Sequence, residues 1–369
     1  MRVMFFVASL AAGGAERVVS VLAGEFVTLG HDVAILQIFP KTADHYQVHG
    51  RVERLVLSED PGTGGRMAAV LRNLVLGAGI RARAQAWRPD AVISFGDSNN
   101  LLAAVALWGT GIPVVVSERT DPFGTVLHWI KRFVRPAIYR YLADAVHVQT
   151  EGLAEKVRAS WRVDRVVAVP NPLARGAFAE SRCVLQENVF LWVGRLIESK
   201  GVDMAIKSFA AIADRLPGWR LRIVGDGPLL ATVRSMINEH RLNGRIEMIG
   251  VVGDMSLQYG CCPIFVSTSR IEGFPNALLE AAASGCACIA ADCEFGPAVL
   301  LDGGRAGILV PVGDSQAMSE AMMQLAGSED LRKGFSRVAE ELRYRYDARN
   351  IAQRWLFVVR DILAPSARG

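Results

Sequence analysis

Cysteine is scarce in this sequence, and residues 1–182 contain none. The six cysteines lie mostly inside apolar runs, at Cys183, Cys261, Cys262, Cys286, Cys288 and Cys293. No pair has C-x-x-C spacing or a histidine nearby in sequence, so neither a metal site nor a disulfide framework is indicated. We therefore expect small, buried thiols in a reducing compartment.

A long hydrophobic run is also missing. The longest stretch without a charged residue, 98–117, is interrupted by two asparagines, two glycines and a proline. A membrane-spanning helix needs ~20 consecutive apolar residues, so no span is predicted. Residues 1–12 form a short apolar run that leads directly into Gly13-Gly14 and an amphipathic segment, 15–29. We interpret this as strand, glycine turn and helix, and not as a signal peptide.

Neither sign of charge is in large excess. The formal net charge is +4, and residues 1–172 carry all of it, with 19 Lys or Arg against 15 Asp or Glu. Long basic runs and interleaved aromatic residues are missing, so nucleic acid is not an expected partner. The hydrophobic content of 51% and mean hydropathy of +0.25 indicate buried parallel sheets or an apolar contact surface.

The 369 residues exceed the length at which single hydrophobic cores stop growing, roughly 250–300, so two domains are expected. Apolar runs alternate with helical patterns, which predicts parallel sheets covered on both faces. The predicted strands are 3–7, 33–39, 52–57, 91–95, 112–116, 145–148 and 166–169, then 189–193, 221–224, 246–249, 264–266, 288–290 and 307–310. The loosely patterned residues 171–187 predict a linker. Because the first turn lacks G-x-G-x-x-G, an NAD oxidoreductase is weakly supported.

The stretch Glu-Gly-Phe-Pro-Asn-Ala-Leu-Leu-Glu, residues 272–280, follows an apolar run and leads into a helical pattern. We expect Pro275 in the first helical turn, where its missing N–H costs nothing. The N-terminus of a helix binds anions through its free amides. Glu272 and Glu280 flank this turn, where carboxylates are suited to sugar or ribose hydroxyls. The alternative is an ordinary capped helix with Glu280 in solvent.

A second loop, 194–201, also follows a predicted strand. Its Arg195 and Lys200 lie where a guanidinium and an ammonium can clamp two phosphates. The alternative is a pair of solvated loop cations. Glycines come directly after several strands, where the backbone must turn or approach a ligand: Gly194, Gly225, Gly227 and Gly250. Together with residues 272–280, this pattern favours a nucleoside diphosphate sugar as ligand.

Four ordered motifs resemble the large family of retaining GT-B glycosyltransferases, the glycosyl transferases group 1, over nearly the whole chain. They are Gly13-Gly14 after the first strand, Val193-Gly194-Arg195-Leu196 with Lys200-Gly201, Val224-Gly225-Asp226-Gly227-Pro228, and Glu272-x7-Glu280. The segment 117–122 and the Gly-Gly-Ala-Glu-Arg run are similar to bacterial members that extend polyprenyl-diphosphate-linked oligosaccharides, including N-acetylgalactosaminyltransferases.

The resemblance implies an α/β fold of two Rossmann-like, doubly wound parallel-sheet domains facing a deep interdomain cleft. Residues 1–172 would bind the acceptor, and residues 173–344 would bind the nucleotide sugar. The C-terminal helix, about 345–369, would pack back on the first domain.

The resemblance also implies roles for individual residues. Arg195 and Lys200 would bind the donor diphosphate and neutralise the leaving group, Glu272 would contact the donor sugar, and Glu280 would hold the ribose hydroxyls. The remaining implied donor-binding positions are Gly13, Gly14, Gly194, Gly225, Gly250, Gly273, Phe274 and Asn276. No metal or other cofactor is expected, since the two cations supply the charge and no D-x-D motif is present.

One departure from the family pattern concerns Glu118. Many relatives have a histidine at the end of the corresponding strand, whereas this chain has Glu118-Arg119. Glu118 either assists the sugar or acceptor as a catalytic residue, or pairs with Arg119.

The segment 122–143 contains four basic residues and no acidic one. On a helix, Lys131, Arg132 and Arg135 share one side and Phe133 and Val134 the other. Such a helix suits an anionic membrane and a lipid diphosphate, so these cations, with Arg17 and Arg119, are the expected acceptor and membrane residues. The alternative is a sheet-covering helix with its polar side in water.

The sequence thus predicts a metal-independent, retaining glycosyltransferase, cytoplasmic and peripheral on the inner face of the cell membrane. It would move a hexose or N-acetylhexosamine from a nucleotide diphosphate sugar, with UDP the expected carrier, to a lipid-linked or soluble glycan. The alternatives are a nucleotide-sugar epimerase or hydrolase on the same fold, and a non-enzymatic membrane-binding or regulatory sugar-binding protein.

Overall fold

The computed structural model describes residues 1–11, 13–39, 44–57, 66–124, 129–174, 176–179 and 187–364, with side chains left out at 66–70, 129–132 and 339. The chain divides into two compact units. The first is Met1–Pro172 together with Ala348–Gly369, and the second is Leu173–Asp347. The chain therefore leaves the first unit once and returns to it at its C-terminus.

The first unit is built on a parallel sheet. Its strands are β1 (Arg2–Val7), β2 (Asp32–Gln37), β3 (Glu53–Val56), β4 (Ala91–Phe95), β5 (Val114–Ser117), β6 (Ala145–Val148) and β7 (Val166–Ala168). Its first five helices are α1 (Gly14–Thr28), α2 (Arg66–Trp87), α3 (Asp97–Leu107), α4 (Trp129–Leu142) and α5 (Glu151–Trp161).

The strand order in this sheet is β3-β2-β1-β4-β5-β6-β7. The chain moves outward from β1 to β3 and then crosses to the other side of β1 for β4. Since such crossovers are right-handed, α1 covers one face of the sheet, and α2, α3, α4 and α5 cover the other. The loops after β1 and β4 meet at the reversal point, where ligands of doubly wound sheets bind.

The second unit repeats this architecture. Its strands are β8 (Val189–Val193), β9 (Arg220–Val224), β10 (Ile246–Gly250), β11 (Ile264–Ser267), β12 (Ala287–Ala291) and β13 (Gly307–Val310). Its helices are α6 (Val202–Ala210), α7 (Leu230–Glu239), α8 (Ser256–Cys261), α9 (Asn276–Ala283), α10 (Pro297–Leu300), α11 (Ser315–Gly327), α12 (Glu329–Ser336) and α13 (Ala339–Arg345). Short 3-10 turns lie at Glu198–Lys200, Ala213–Arg215 and Asp302–Gly304.

The second sheet has the order β10-β9-β8-β11-β12-β13, again all parallel. Its reversal point lies between β8 and β11, which pair through Ile264 opposite Phe190 and Phe265 opposite Leu191. The loops that follow these two strands contain Arg195 and Glu272. The topology thus brings together the two stretches that carry the chemical motifs.

One helix of the second unit is shorter than its sequence pattern predicts. That pattern predicts a helix over 202–216, whereas α6 ends at Ala210, and the helices predicted from 315 to about 342 are three in number. The break after Gly327 has a local cause, because the Ser328 side chain accepts the Leu331 N–H at 3.2 Å and so begins a new helix.

The last helix, α14 (Ala348–Leu363), belongs to the first unit. It packs beside α1 and buries Ile351, Trp355 and Val359 in the core of that unit. The Trp355 ring lies 4.1 Å from the His147 ring, centroid to centroid. This helix therefore completes the core of a unit whose preceding element, β7, ends at Ala168.

Four of the predicted buried thiols are confirmed: Cys262, Cys286, Cys288 and Cys293 are free and buried. The expectation is wrong for Cys261, which is disulfide-bonded. Within the described ranges, no group of three or more His, Cys, Asp or Glu side chains is arranged to hold a metal ion. None of the described helices is both long and apolar enough to cross a membrane.

Candidate functional site

The loop after β8 is held against the end of β11 by close backbone contacts. Leu196 is fully buried and fixes the middle of the loop. Gly201 has φ +66°, and a Cβ there would lie 2.1 Å from the Thr268 carbonyl oxygen, so only glycine fits. The Thr268 hydroxyl donates to the Lys200 carbonyl at 3.1 Å. These contacts leave Arg195 exposed at the strand end.

Hydrogen bonds between backbone groups, most of them from glycines, join the ends of neighbouring strands. The Gly194 N–H donates to the Val224 carbonyl at 3.1 Å, and the Gly225 N–H donates to the Gly250 carbonyl at 2.7 Å. Gly225 has φ +139°, and a Cβ there would lie 1.9 Å from the Gly194 carbonyl oxygen. The structure thus brings Gly194, Gly225 and Gly250 together at one edge of the second sheet.

Lys200 and Glu272 form an ion pair across the two loops. The Lys200 Nζ lies 2.5 Å from Glu272 Oε1, with the lysine side chain 29% exposed and the glutamate 10% exposed. The sequence suggested separate ligands for these two residues, and the structure shows them as partners. Arg195 has no ion-pair partner among the described residues, which leaves its guanidinium available at this edge.

Hydrogen bonds from Arg270, which the sequence analysis did not identify, hold this arrangement in place. Arg270 donates two hydrogen bonds to Asp203, at 2.9 and 2.8 Å, and a third to the Glu198 carbonyl at 2.7 Å. The Arg270 N–H also donates to the Ser199 carbonyl at 2.8 Å. Burial disfavours the Asp203 carboxylate, but the hydrogen bonds and charge of Arg270 outweigh it and lower the pKa of Asp203.

The helix predicted within residues 272–280 begins one residue later than expected. Pro275 is the N-cap residue of α9 and not part of its first turn, and Asn276 is the first helical residue. A Cβ at Gly296 would lie 2.4 Å from the Pro275 ring, so the entry to this helix is tightly packed. The Phe274 side chain is buried with its ring 5.7 Å from that of Tyr346. Gly273 is buried as well, so this turn offers mainly backbone to a ligand.

Glu280 lies on the first turns of α9 and is buried. The Tyr259 hydroxyl donates to its Oε2 at 3.1 Å, so the carboxylate is oriented by a neighbouring side chain. The alternative of a solvated Glu280 is therefore wrong. A buried, oriented carboxylate is suited to accept hydrogen bonds from ligand hydroxyls.

The sequence does not indicate that Cys293 lies near the Lys200–Glu272 pair, but the charges of both residues act on its thiol. Burial, together with the charge of Glu272, raises the pKa of its thiol to about 12, against a smaller opposing effect of Lys200. The thiol is therefore neutral at physiological pH and is an apolar neighbour of the ion pair.

In the first unit, the Glu118 carboxylate is buried and hydrogen-bonded inside the core. Its Oε2 accepts a hydrogen bond from Arg135 at 3.2 Å, and its Oε1 accepts one from the Tyr139 hydroxyl. The side chain is only 2% exposed, and burial raises its pKa. Both carboxylate oxygens are therefore bonded to partners other than Arg119, and the catalytic role of Glu118 stays a prediction.

Arg119 lies over the Phe95 ring and donates to the Asn171 side chain. Burial lowers its pKa to about 9, opposed by the charge of Glu16. Below this arginine, His147 Nε2 donates to the Val169 carbonyl, so its Nδ1 accepts from the Ser117 hydroxyl, both at 2.8 Å. Arg119 is therefore held at the strand ends by a network that the sequence did not reveal.

Of the other candidate residues in the first unit, three are described by the structure and two have undescribed side chains. Gly13 is the N-cap of α1, and Gly14 and Arg17 lie in its first turn, next to the end of β1. The side chains of Lys131 and Arg132 lie outside the described residues, and so does all of 125–128.

The predicted placement of Arg135 on the outer side of α4 is wrong. Arg135 is buried, with its guanidinium 5.0 Å from the Trp161 ring centroid, whereas Phe133 is 73% exposed. The physical reason is the carboxylate of Glu118, which provides a buried partner that the helical pattern cannot reveal. Arg135 therefore faces the core, whereas Arg140 of the same helix is exposed.

Comparison with known sequences identifies the two halves of the chain. Residues 187–328 match the family described as glycosyl transferases group 1, and residues 13–172 match the glycosyl transferase 4-like domain. An exopolysaccharide phosphotransferase of Streptomyces coelicolor is 34% identical over 58% of this chain, which spans only 23% of that relative.

A second relative aligns over its full length. It is the GalNAc-alpha-(1->4)-GalNAc-alpha-(1->3)-diNAcBac-PP-undecaprenol alpha-1,4-N-acetyl-D-galactosaminyltransferase of Campylobacter jejuni. It is 23% identical, and the alignment covers 98% of this chain and 99% of the relative.

Among solved structures, Anabaena HepE in complex with UDP and glucose superposes with a TM-score of 0.79 at 18% identity, covering 98% of this chain and all of that one. This similarity shows the fold. Residues 187–328 therefore belong to the glycosyl transferases group 1 family and residues 13–172 to the glycosyl transferase 4-like domains, and the chain has the GT-B fold of two parallel-sheet α/β domains.

Proposed function

We propose that this protein is a retaining glycosyltransferase that moves a hexose or N-acetylhexosamine from a UDP-linked donor to a polyprenyl-diphosphate-linked glycan. Support comes from the family, from the undecaprenol-linked acceptor in the name of the Campylobacter relative, and from the UDP and glucose bound to HepE. In this proposal the second unit binds the donor and the first unit binds the acceptor.

The observation that carries the proposal is the meeting of two loops at the reversal point of the second sheet. The loop after β8 contributes an exposed Arg195 and the ammonium of Lys200, and the loop after β11 contributes Glu272. The N-terminus of α9 follows directly, with the oriented carboxylate of Glu280 in the same helix. Cations, amides and carboxylates beside one another match a diphosphate that joins two hydroxyl-bearing groups.

The reaction breaks the bond between the anomeric carbon and the diphosphate oxygen. The acceptor hydroxyl oxygen bonds to that carbon on the face the leaving group vacates, and its proton passes to the departing diphosphate. Negative charge thus grows on the diphosphate in the transition state. Arg195 and Lys200, already fixed by the backbone contacts of their loop, stabilise this charge more than they stabilise the ground state.

In this proposal, Lys200 and Glu272 position each other through their ion pair and also contact the donor. Glu272 keeps the ammonium pointed at the edge where the diphosphate binds, and its other oxygen accepts a hydrogen bond from a donor sugar hydroxyl. Glu280, held by Tyr259, accepts hydrogen bonds from the two ribose hydroxyls of the nucleotide. Backbone N–H groups of Gly273, Phe274 and Asn276 complete the contacts to sugar and phosphate oxygens.

The test is transfer of radiolabelled sugar from a panel of UDP-sugars into a bacterial lipid extract, with product configuration read by NMR. Arg195→Ala and Lys200→Ala should each lower kcat by about 100-fold or more, as loss of one transition-state contact does. The matched control is Lys333→Ala, which also removes a lysine paired to a glutamate, at 2.7 Å from Glu329, but on α12. It should transfer sugar like the unchanged protein.

Two further arms separate the alternatives. Turnover of donor without acceptor would favour an epimerase or hydrolase, and unchanged transfer in Arg195→Ala would remove the basis of the proposal. Because two side-chain cations supply the charge, we also propose that no metal is required. Activity should then persist in EDTA, and loss of activity restored by Mg²⁺ or Mn²⁺ would contradict this part.

A further inference from the structure

Trp192, a residue of β8, contacts both loops of the candidate donor site. Its side chain is only 2% exposed, and it lies two residues before Gly194. None of the sequence motifs includes it, because a buried strand residue resembles any other member of the core. The side chain makes two separate contacts, one through its indole N–H and one through its ring. The first leads to Lys200 and the second to the backbone beside Arg195.

The indole N–H of Trp192 begins a chain of two hydrogen bonds. It donates to the Thr268 hydroxyl at 2.9 Å, and this hydroxyl donates to the Lys200 backbone carbonyl at 3.1 Å. The direction of the chain is fixed by chemistry, because an indole can only donate and a carbonyl oxygen can only accept. Thr268 is 1% exposed, so bulk water cannot replace either partner of its hydroxyl. The backbone of Lys200 is therefore tied to the core through Thr268.

Thr268 holds this loop at a second point. Its own carbonyl oxygen would lie 2.1 Å from a Cβ on Gly201, so the two backbones are in close contact. Lys200 thus has a fixed backbone on its C-terminal side, from which its side chain reaches Glu272 at 2.5 Å. Loss of the Thr268 hydroxyl would free the Lys200 carbonyl and change the direction in which the ammonium points.

The ring of Trp192 supports the backbone beside the other cation. A Cβ on Gly194 would lie 3.0 Å from the ring, so this glycine packs directly against the indole. On the other side of Arg195, Leu196 is fully buried. The backbone is therefore held on both sides of Arg195, whose side chain is exposed.

A second buried tryptophan shows that an indole hydrogen bond need not involve a site. Trp87 Nε1 donates to Glu53 Oε2 at 2.6 Å, at the edge of the first sheet where the strands begin. Ligands of such sheets bind at the opposite edge, where the strands end. The hydrogen-bond chain from Trp192 differs, because it ends on the backbone of a residue that the proposed function assigns to the donor diphosphate.

We propose that Trp192 and Thr268 are positioning residues that hold Lys200 and Arg195 in the geometry needed for sugar transfer. Both side chains are buried, so they act through the cations and not on the donor itself. The cations stabilise charge that grows on the diphosphate, so their orientation affects the chemical step more than donor binding. The kinetic consequence rests on the proposed function, whereas the support of the loop backbone is a property of the folded chain.

The experiment compares three variants in the transfer assay. Thr268→Val replaces the hydroxyl by a methyl group of similar size, and Thr268→Ser keeps the hydroxyl. Thr268→Val should lower kcat by about 10- to 100-fold, with KM for donor changed by less than about threefold, whereas Thr268→Ser should retain kcat within about threefold. Trp192→Phe, which removes the N–H and shortens the ring, should lower kcat at least as much as Thr268→Val. Unchanged kcat in Thr268→Val and Trp192→Phe would overturn the proposal.

Two matched controls remove similar groups elsewhere. Trp87→Phe removes a buried indole N–H that is bonded to a side chain in the first unit. Ser319→Ala removes a hydroxyl, 4% exposed, that donates to the Ser208 carbonyl at 3.1 Å in the second unit. Both should transfer sugar like the unchanged protein when each assay is run well below the Tm of the variant. Equal losses of kcat in the controls would assign the effect to general destabilisation and refute positioning.

A double-mutant cycle shows whether Thr268 acts through Lys200. In a Lys200→Ala background, Thr268→Val should change kcat by less than about twofold, because the group that it positions is already missing. A further loss of about tenfold in that background would contradict the proposal, since the hydroxyl would then act on something else.

Hydrogen–deuterium exchange separates this inference from the proposed function, because it needs no activity. Amide exchange across residues 196–201 should speed up by about tenfold or more in Thr268→Val and Trp192→Phe, and should stay unchanged in Thr268→Ser and in both controls. A chain that transfers no sugar but shows this pattern would refute the proposed function and leave the support of the loop standing. A chain that transfers sugar and shows no change in exchange or kcat would refute the positioning role alone.

Discussion

Replacement of Asp203 by asparagine tests how the candidate donor site is held in place. Asp203 accepts two hydrogen bonds from Arg270, and that arginine also holds the Glu198 carbonyl in the loop that carries Lys200. Asp203→Asn removes the negative charge and at least one of the two bonds while leaving the shape unchanged. The loop should then lose its attachment to the end of β11.

The magnitude follows from the exposure of the pair. The two side chains are 32% and 33% exposed, so solvent screens their attraction. We therefore place the loss near the upper end of the exposed-pair range, about 1 kcal/mol. For a unit of 150 to 250 residues this corresponds to a decrease in Tm of roughly 2–4 °C. If the proposed function holds, the KM for donor should rise as well, because the loop that carries Lys200 is less ordered.

The assay is calorimetry at neutral pH, with Glu329→Gln as the control. That variant breaks the fully exposed pair with Lys333, and its Tm should be unchanged. If Asp203→Asn melted at the same temperature as Glu329→Gln and bound donor equally well, Arg270 would not be positioning the loop.

The pH dependence gives a second check with a defined sign. The pKa of Asp203 is lowered in the folded state. Its contribution to stability is therefore complete above the unfolded-state pKa of about 3.9 and is lost as the pH falls through the folded-state value. The difference in Tm between the unchanged protein and Asp203→Asn should be constant from neutral pH down to about pH 4 and should disappear below it. A difference that grew on acidification would contradict the assignment.

Three further variants probe other parts of the fold, each by urea unfolding. Gly225→Ala should cost about 3 kcal/mol or more, because its Cβ would meet a backbone carbonyl oxygen at 1.9 Å, whereas Gly313→Ala, with φ +81° and nothing within 4 Å, should cost only about 1 kcal/mol. Arg135→Met should cost about 3–5 kcal/mol, and also replacing its paired glutamate by glutamine should recover most of the loss. Trp355→Ala should lower the free energy of unfolding by about 3–5 kcal/mol, whereas Phe357→Ala, at a position 69% exposed on the same helix, should lower it by less than about 0.5 kcal/mol. Equal effects would show that α14 is not part of the core of the first unit.

The glycine positions show why part of the candidate site is predictable. A glycine directly after a parallel strand occupies a place where the chain must turn at the ligand-binding edge, so Gly225 and Gly250 are visible in the sequence. The structure adds the reason for one of them, since the Gly225 backbone lies against Gly194 from another strand. The positive φ of Gly225 is a local requirement for glycine. The close backbone approach is not local, because it depends on Gly194, about 30 residues earlier in the chain.

Helix α4 shows where such reasoning stops. Its pattern of basic and apolar residues predicts which residues share a side, and that grouping is correct for Phe133 and Val134. Which side faces the core is decided by Glu118, on another element, because a buried carboxylate makes burial of Arg135 favourable. A helical period carries no information about such a partner.

The two doubly wound sheets, the family and the stretches that carry the candidate donor site are predictable from local signals, which are the alternation of strands and helices, strand-end glycines and charged loops. Three features are visible only in the folded chain: the pairing of Lys200 with Glu272, the hydrogen bonds between Arg270 and Asp203, and the burial of Arg135 on α4. These outcomes depend on contacts between residues far apart in the chain. Their energies are set by burial and by the partner's charge, which exist only once the chain has folded.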